Sequence, residues 1–129
     1  MRIAIFDIIS GEGAIPVARE KFQTLTEQMF YILLALQEER CGADVMNLVS
    51  QITWGRVTVG PGTLYNLLED FQSAGMIVQT KVEGRRRSYQ ITQKGRDMLW
   101  MEKRRLEIML ADFQHMTAGH QETARDSAG

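Results

Sequence analysis

Cysteine is nearly missing from these 129 residues: Cys41 stands alone. One thiol excludes an internal disulfide. It also leaves no metal cluster, because the two histidines, His115 and His120, lie far along the chain. A reduced, cytoplasmic setting is expected, with Cys41 read as a small residue at a helix end. An excess of positive charge is missing as well. Lys and Arg number 15 against 16 Asp and Glu, for a net charge of −1, so any affinity for phosphate has to come from a local patch. Hydrophobic runs of membrane-spanning length are absent. The apolar start Met1–Ile9 is interrupted by Asp7, lacks a small-residue cleavage pattern, and falls far short of the roughly 20 residues a bilayer span needs. Neither export nor membrane insertion is expected. Gly11-Glu12-Gly13 lacks the third glycine and following helix of a dinucleotide loop, and Pro16 breaks the segment. With no nucleophile near a base and no phosphate loop, the chain reads as no enzyme, without a cofactor or metal.

What is present is helical patterning followed by a basic hairpin. Residues 1–23 form an arm, read as disordered or as packing on a partner. Thr24 and Glu27 have capping-box spacing, with Thr26 a competing N-cap, and Met29–Leu36 is an unbroken apolar run. Such a helix has no solvent face; one side covers this domain's core, and the other is expected to meet a second subunit. Val45, Leu48, Val49 and Ile52 fall at i, i+3, i+4, i+7, which predicts an amphipathic helix ending near Trp54-Gly55. Arg56–Val59 is a short extended link.

Gly60-Pro61 starts a third helix, striped by Leu64, Leu67, Leu68 and Phe71 and stopped by Gly75. Two β-prone segments, Met76–Val82 and Arg87–Ile91, flank Glu83–Arg86 as a hairpin with a cationic tip. Thr92 caps a last helix over 93–116. Leu99, Leu106 and Phe113 lie seven apart on it, with Met109 and Met116 at companion positions and Glu102 as a charged blemish. A helix of about 35 Å outruns a small core, and its apolar seam suggests dimerisation. Residues 117–129 read as a flexible tail.

This order predicts a mainly α fold with a small β-hairpin: a winged helix-turn-helix over 24–92 with a long C-terminal dimerisation helix over 93–116. In such a domain the third helix enters the major groove of double-stranded DNA and the hairpin tip follows the backbone. With the leucine stripe facing the core, Gly62 and Asn66 face outward and Thr63 and Tyr65 lie on the flanks. Asn66 has the donor and acceptor for adenine. Thr63 and Tyr65 suit phosphate or a thymine methyl, and Gly62 allows close backbone approach near a helix N-terminus. This helix carries no Lys or Arg and does carry Glu69 and Asp70, so affinity has to lean on Lys81, Arg85, Arg86 and Arg87 of the wing, with Lys94 and Arg96 behind it. Met29, Leu33, Leu99, Leu106, Met109 and Phe113 are the candidate dimer-interface residues. Phe30, Tyr31, Trp100 and Phe113 are candidates for lining a cavity between subunits for a small aromatic or amphipathic ligand. The rival function is a winged helix that binds protein and has no DNA target, supported by Glu69-Asp70 and the near-zero net charge.

Leu25-Thr26-Glu27 with its apolar helix, Gly60–Tyr65, Gly75-Met76-Ile77, Gly84–Tyr89 and Ile91–Gly95 together resemble the PadR family of transcription regulators, over roughly residues 24–116. The resemblance implies a homodimeric repressor on a (pseudo)palindromic operator, of the compact subgroup, with Thr63, Tyr65 and Asn66 on the DNA-contacting helix and Arg85–Arg87 on the wing. Many members respond to small aromatic or amphipathic compounds. The sequence departs from the family in two places. Cys41-Gly42-Ala43 stands where many members have His-Gly-Tyr, so a contact through that tyrosine is lost, and the N-terminal arm is longer than in compact members.

Overall fold

The computed structural model describes residues 24–120. The arm expected over 1–23 and the tail from 121 onward lie outside the described residues. Thr26, not Thr24, caps the first helix, α1 (Glu27–Ala35), its hydroxyl accepting from the Met29 N–H at 3.2 Å. Ile32, Leu33, Ala35 and Leu36 turn inward, while Met29, Phe30, Tyr31 and Leu34 pack against the core only in part. Arg40 and Cys41 then form a two-residue strand, β1 (Arg40–Cys41), and α2 (Gly42–Ile52) follows directly, burying Val45 and Val49. Ile52, expected on the buried stripe, is exposed instead because the helix ends there and Thr53 turns the chain. The Thr53 hydroxyl donates to Val49 O and accepts from the Val57 N–H, which fixes the link to α3.

The third helix, α3 (Pro61–Ser73), starts with proline at the first helical position and buries Leu64, Leu68 and Phe71, with Leu67 half-buried. Gly75 ends it at a φ of 78°, and the Met76 N–H reaches back to Phe71 O at 2.9 Å, a closure that favours glycine at the left-handed position. The wing consists of β2 (Ile77–Glu83) and β3 (Arg86–Ile91), joined by Gly84 and Arg85, with Gly84 at a φ of 64°. The expected hairpin is part of a three-stranded antiparallel sheet ordered β1-β3-β2, since Arg40 pairs with Tyr89 and Cys41 with Ser88. The chain is thus a mainly α winged helix with a small sheet.

The long helix α4 (Gln93–Met116) starts on the Thr92 cap, whose hydroxyl accepts from the Gly95 N–H at 3.2 Å and donates to Gly75 O at 2.7 Å. Its N-terminal half buries Gly95, Met98, Leu99 and Glu102. Glu102 is therefore not a blemish on an outer seam. It is buried against the lead-in to α1, accepting from the Leu25 N–H at 3.3 Å and from the Arg105 guanidinium, partners that a carboxylate removed from water requires. Two further expectations are corrected. Leu33, at 0% exposure, and Leu99, at 7%, pack in the protomer's own core and are not free to meet a second copy. Leu106, Met109, Leu110, Phe113 and Met116 continue the same stripe past Glu102 and are exposed. Among the described residues, no helix is long and apolar enough to cross a membrane.

At Gly95, α4 sits against the start of the wing so closely that a Cβ would meet the Met76 carbonyl oxygen, and Ile91 Cγ1 at 2.6 Å. In an open helix, alanine would gain about 1 kcal/mol over glycine. Here backbone blocks it, so Gly95→Ala is expected to destabilise the fold by about 1–3 kcal/mol in urea unfolding. A stabilised variant would mean that α4 is not seated here.

Candidate nucleic-acid interface

Burial of Leu64, Leu68 and Phe71 fixes the rotation of α3, and what remains outside is Gly62, Thr63, Tyr65, Asn66 and Glu69, all at least partly exposed. The wing lies beside this face. Between α3, the wing and the first turn of α2 runs an open cleft of about 830 Å³, lined by Tyr65, Glu69, Tyr89, Arg85, Arg86, Arg87 and the stretch Cys41–Asp44. Tyr65 and the three wing arginines therefore share one concavity. Gly62, Thr63, Asn66 and Lys81 lie outside its lining.

The arginines are not equivalent. Arg86 reaches across to α2, where its Nη2 stands 3.6 Å from Asp44 Oδ2. Its guanidinium is held above its ordinary range first by the Cys41 sulfur beside it and then by Asp44. Arg87 extends along the sheet, its Nη1 donating weakly to Gln79 Oε1 at 3.4 Å. Arg85 is at the tip. Tyr65 turns its hydroxyl toward α2, where a Cβ on Gly42 would come within 2.5 Å of it. Glycine at that position is what lets the tyrosine settle over the N-terminus of α2.

Tyr89 is a buried member of the cleft, at 6% exposure, as are Leu68 and Cys41. Burial raises its phenol above the ordinary value, a rise opposed by the Arg87 charge. Neither Tyr89 nor the Cys41–Asp44 stretch was among the expected site residues. Tyr89 looked like an ordinary strand residue and Asp44 like part of a solvent face. The one available signal was the departure from the family pattern at Cys41-Gly42-Ala43, which marks the start of α2 as part of the site.

The four candidate effector residues do not converge within one chain. Phe30 and Tyr31 pack edge to face with ring centroids 5.5 Å apart, and the Tyr31 hydroxyl accepts from Arg56. Trp100 lies under the Lys103 ammonium, 5.0 Å from its ring centroid. Phe113 is 13 positions further along α4, about 20 Å away and on a different face.

The model of the Transcriptional regulator PadR-like family matches residues 32–100. No curated protein sequence matches the chain. Among solved structures, a PadR-like transcription factor from Bacteroides fragilis superposes with a TM-score of 0.59 at 20% identity, covering 78% of this chain and 98% of that one. RosR from H. salinarum gives 0.55 at 24% identity over 82% and 96%. NadR in complex with 4-hydroxyphenylacetate gives 0.54 at 14% identity over 95% and 86%. At these identities the likeness is one of fold.

The Tyr89 shift sets a pH dependence. The folded protein holds the phenolic proton more tightly than the unfolded chain, so this contribution to stability is intact below pH 10.0 and is lost as pH rises through the folded value. Urea unfolding of the wild type and Tyr89→Phe across this range is expected to show a smaller alkaline loss in the variant. Equal losses would mean that Tyr89 ionises as freely folded as unfolded.

Proposed function

Because the chain belongs to the PadR-like family of transcriptional regulators, whose members are regulators and not enzymes, we propose that it is a repressor that binds a (pseudo)palindromic operator as a homodimer. One observation carries the DNA-binding assignment: Tyr65 of α3 and Arg85, Arg86 and Arg87 of the wing line a single cleft beside the exposed face of α3. In this proposal Asn66 and Thr63 read base edges and Gly62 brings backbone to phosphate. The wing arginines, with Lys81 behind them, supply the charge that a protein of net −1 otherwise lacks. In this proposal the chain divides into a DNA-binding head over 24–92 and a dimerisation helix over 93–116, with residues 1–23 as an arm and 117–129 as a tail.

The dimer is supported by the stripe on α4. Leu106, Met109, Leu110 and Phe113 follow i, i+3, i+4, i+7 on the face whose N-terminal half is already buried in the protomer, and Phe113 remains 61% exposed. Apolar surface arranged this way on a protruding helix suits a second α4. A small aromatic effector between subunits, near Phe30, Tyr31, Trp100 and Phe113, is consistent with the fold-level likeness to NadR, whose structure holds 4-hydroxyphenylacetate. It would act by changing the spacing of the two α3 helices. Asp44 and Glu69 in the cleft support the second reading, a winged helix that binds a basic protein partner and no DNA.

Two measurements test the proposal. In fluorescence anisotropy with a duplex from the chain's own upstream region, binding is expected to weaken with salt at a log–log slope of roughly −0.9 per phosphate contacted. Replacing Arg85, Arg86 and Arg87 together by alanine should abolish it; undiminished binding would remove the wing from the interface, and no binding by the wild type would favour the protein-binding module. In sedimentation, Met109→Glu with Phe113→Glu is expected to give a folded monomer with operator affinity reduced more than about tenfold, as loss of one of two half-sites requires. A variant that remains dimeric would move the interface elsewhere.

A further inference from the structure

The place where α2 begins is built for an anion. Cys41, at the N-cap, makes no side-chain cap bond, so the first N–H groups of this 11-residue helix carry no side-chain acceptor from it, and they bear the positive end of the helix dipole. Arg86 reaches the same place from the wing, and the Tyr65 hydroxyl lies over Gly42 from α3. A second, independent feature points the same way. Tyr89 is more than nine-tenths buried and lines this cleft, and its hydroxyl, bonded to no described residue, is reached by solvent rather than sealed in the core. Donors from α2, α3 and the wing thus meet around one spot. The carboxylate of Asp44, in the first turn of α2, is the anion paired there with Arg86, at 3.6 Å.

We propose that Asp44 is an internal stand-in for a DNA phosphate, paired with Arg86 in the free protein and displaced when a backbone phosphate enters the cleft between the wing and α2. The inference rests on the DNA-binding function proposed above and adds a residue that holds binding back. The exchange replaces one ion pair by another, so Arg86 contributes less to affinity than its charge alone suggests. The pair is more than half exposed on both sides, where such contacts are weak and readily exchanged. That weakness suits a contact that must open for every binding event. The Tyr89 and Tyr65 hydroxyls are donors suited to the incoming phosphate oxygens.

The test is a double-mutant cycle on Asp44 and Arg86 in the full chain, read by anisotropy with a random-sequence duplex of about 24 base pairs, enough to span two turns of DNA. Asp44→Asn is expected to tighten binding about fivefold per subunit, the scale of a surface ion pair. In an Arg86→Ala background the same substitution should change affinity less than about twofold. Equal affinity of the wild type and the Asp44→Asn variant, or a gain of the same size with and without Arg86, would overturn the stand-in, the second outcome reducing Asp44 to a plain repulsive charge. Failure of every variant, wild type included, to bind duplex at low salt would instead overturn DNA binding itself. Thermal unfolding of each variant confirms that the exposed substitutions leave the fold intact.

Discussion

Three working parts of this protein are joined at one small node of backbone. The Thr92 N–H donates to Met76 O at 2.9 Å, its hydroxyl donates to Gly75 O, and Gly95 presses against the same Met76 carbonyl. Gly75 is the stop of α3, Met76 leads into the wing, and Thr92 and Gly95 begin α4. Bonds of this kind leave little freedom of rotation, and buried backbone polar groups are expensive to expose. The direction in which α3 points is thereby tied to the direction in which α4 leaves the head. Everything proposed about DNA reading and dimer geometry depends on that coupling, because a loose joint here would let the two recognition surfaces of a dimer drift independently.

Charge on the reading face is organised by pairing more than by amount. A net charge of −1 would repel a polyanion slightly at long range, and Asp44 and Glu69 lie within the cleft that holds Arg85, Arg86 and Arg87. The consequence is a surface that is locally cationic and internally compensated. If this face binds DNA as proposed, binding by counterion release would begin from a reduced baseline, which would weaken attachment to arbitrary DNA most. The sequence-dependent contacts proposed for α3 would then gain relative weight, since they do not depend on which anion faces the wing.

Much of this architecture is legible in the amino-acid order, and the reasons are local. The span of α4 follows from Thr92 and an apolar periodicity broken only at Glu102, and that of α3 from Pro61 and Gly75. The wing follows from two β-prone runs about a glycine and three arginines. The parts that could not be read are those that need a distant partner. Two residues, Arg40 and Cys41, have no periodicity to betray a strand; they become one only because Ser88 and Tyr89 lie alongside. Glu102 interrupts an apolar seam in the sequence, and its burial makes sense only once the Leu25 N–H, 77 positions away, is found against it. Leu33 and Leu99 matched the pattern of an outer seam. The same periodicity serves a helix packed on its own head, so spacing could not tell which half of the stripe faced inward. The candidate site was half legible for the same reason: Tyr65 and the wing arginines carry a chemical signature, whereas Tyr89 and Asp44 acquire their meaning from position.

The division of α4 into a buried half and an uncovered half of one stripe limits how a dimer can form. From Leu106 to Met116 the exposed seam covers under two heptads, short of the three or four that mark a self-sufficient coiled coil. Two such seams alone would make a marginal contact, so in the proposed dimer the flanks of α1, where Met29, Phe30 and Tyr31 are only partly buried, would add to the interface. In the proposed dimer, an interface assembled from two modest patches would rock about the α4 crossing, and the node at Met76 and Gly95 would convert that rocking into a change in α3 separation. A ligand that prefers one crossing angle by a few kcal/mol would suffice to move most molecules between spacings that fit and do not fit successive turns of DNA. On the proposed reading, a weak seam beyond a stiff joint is enough for a ligand to regulate binding.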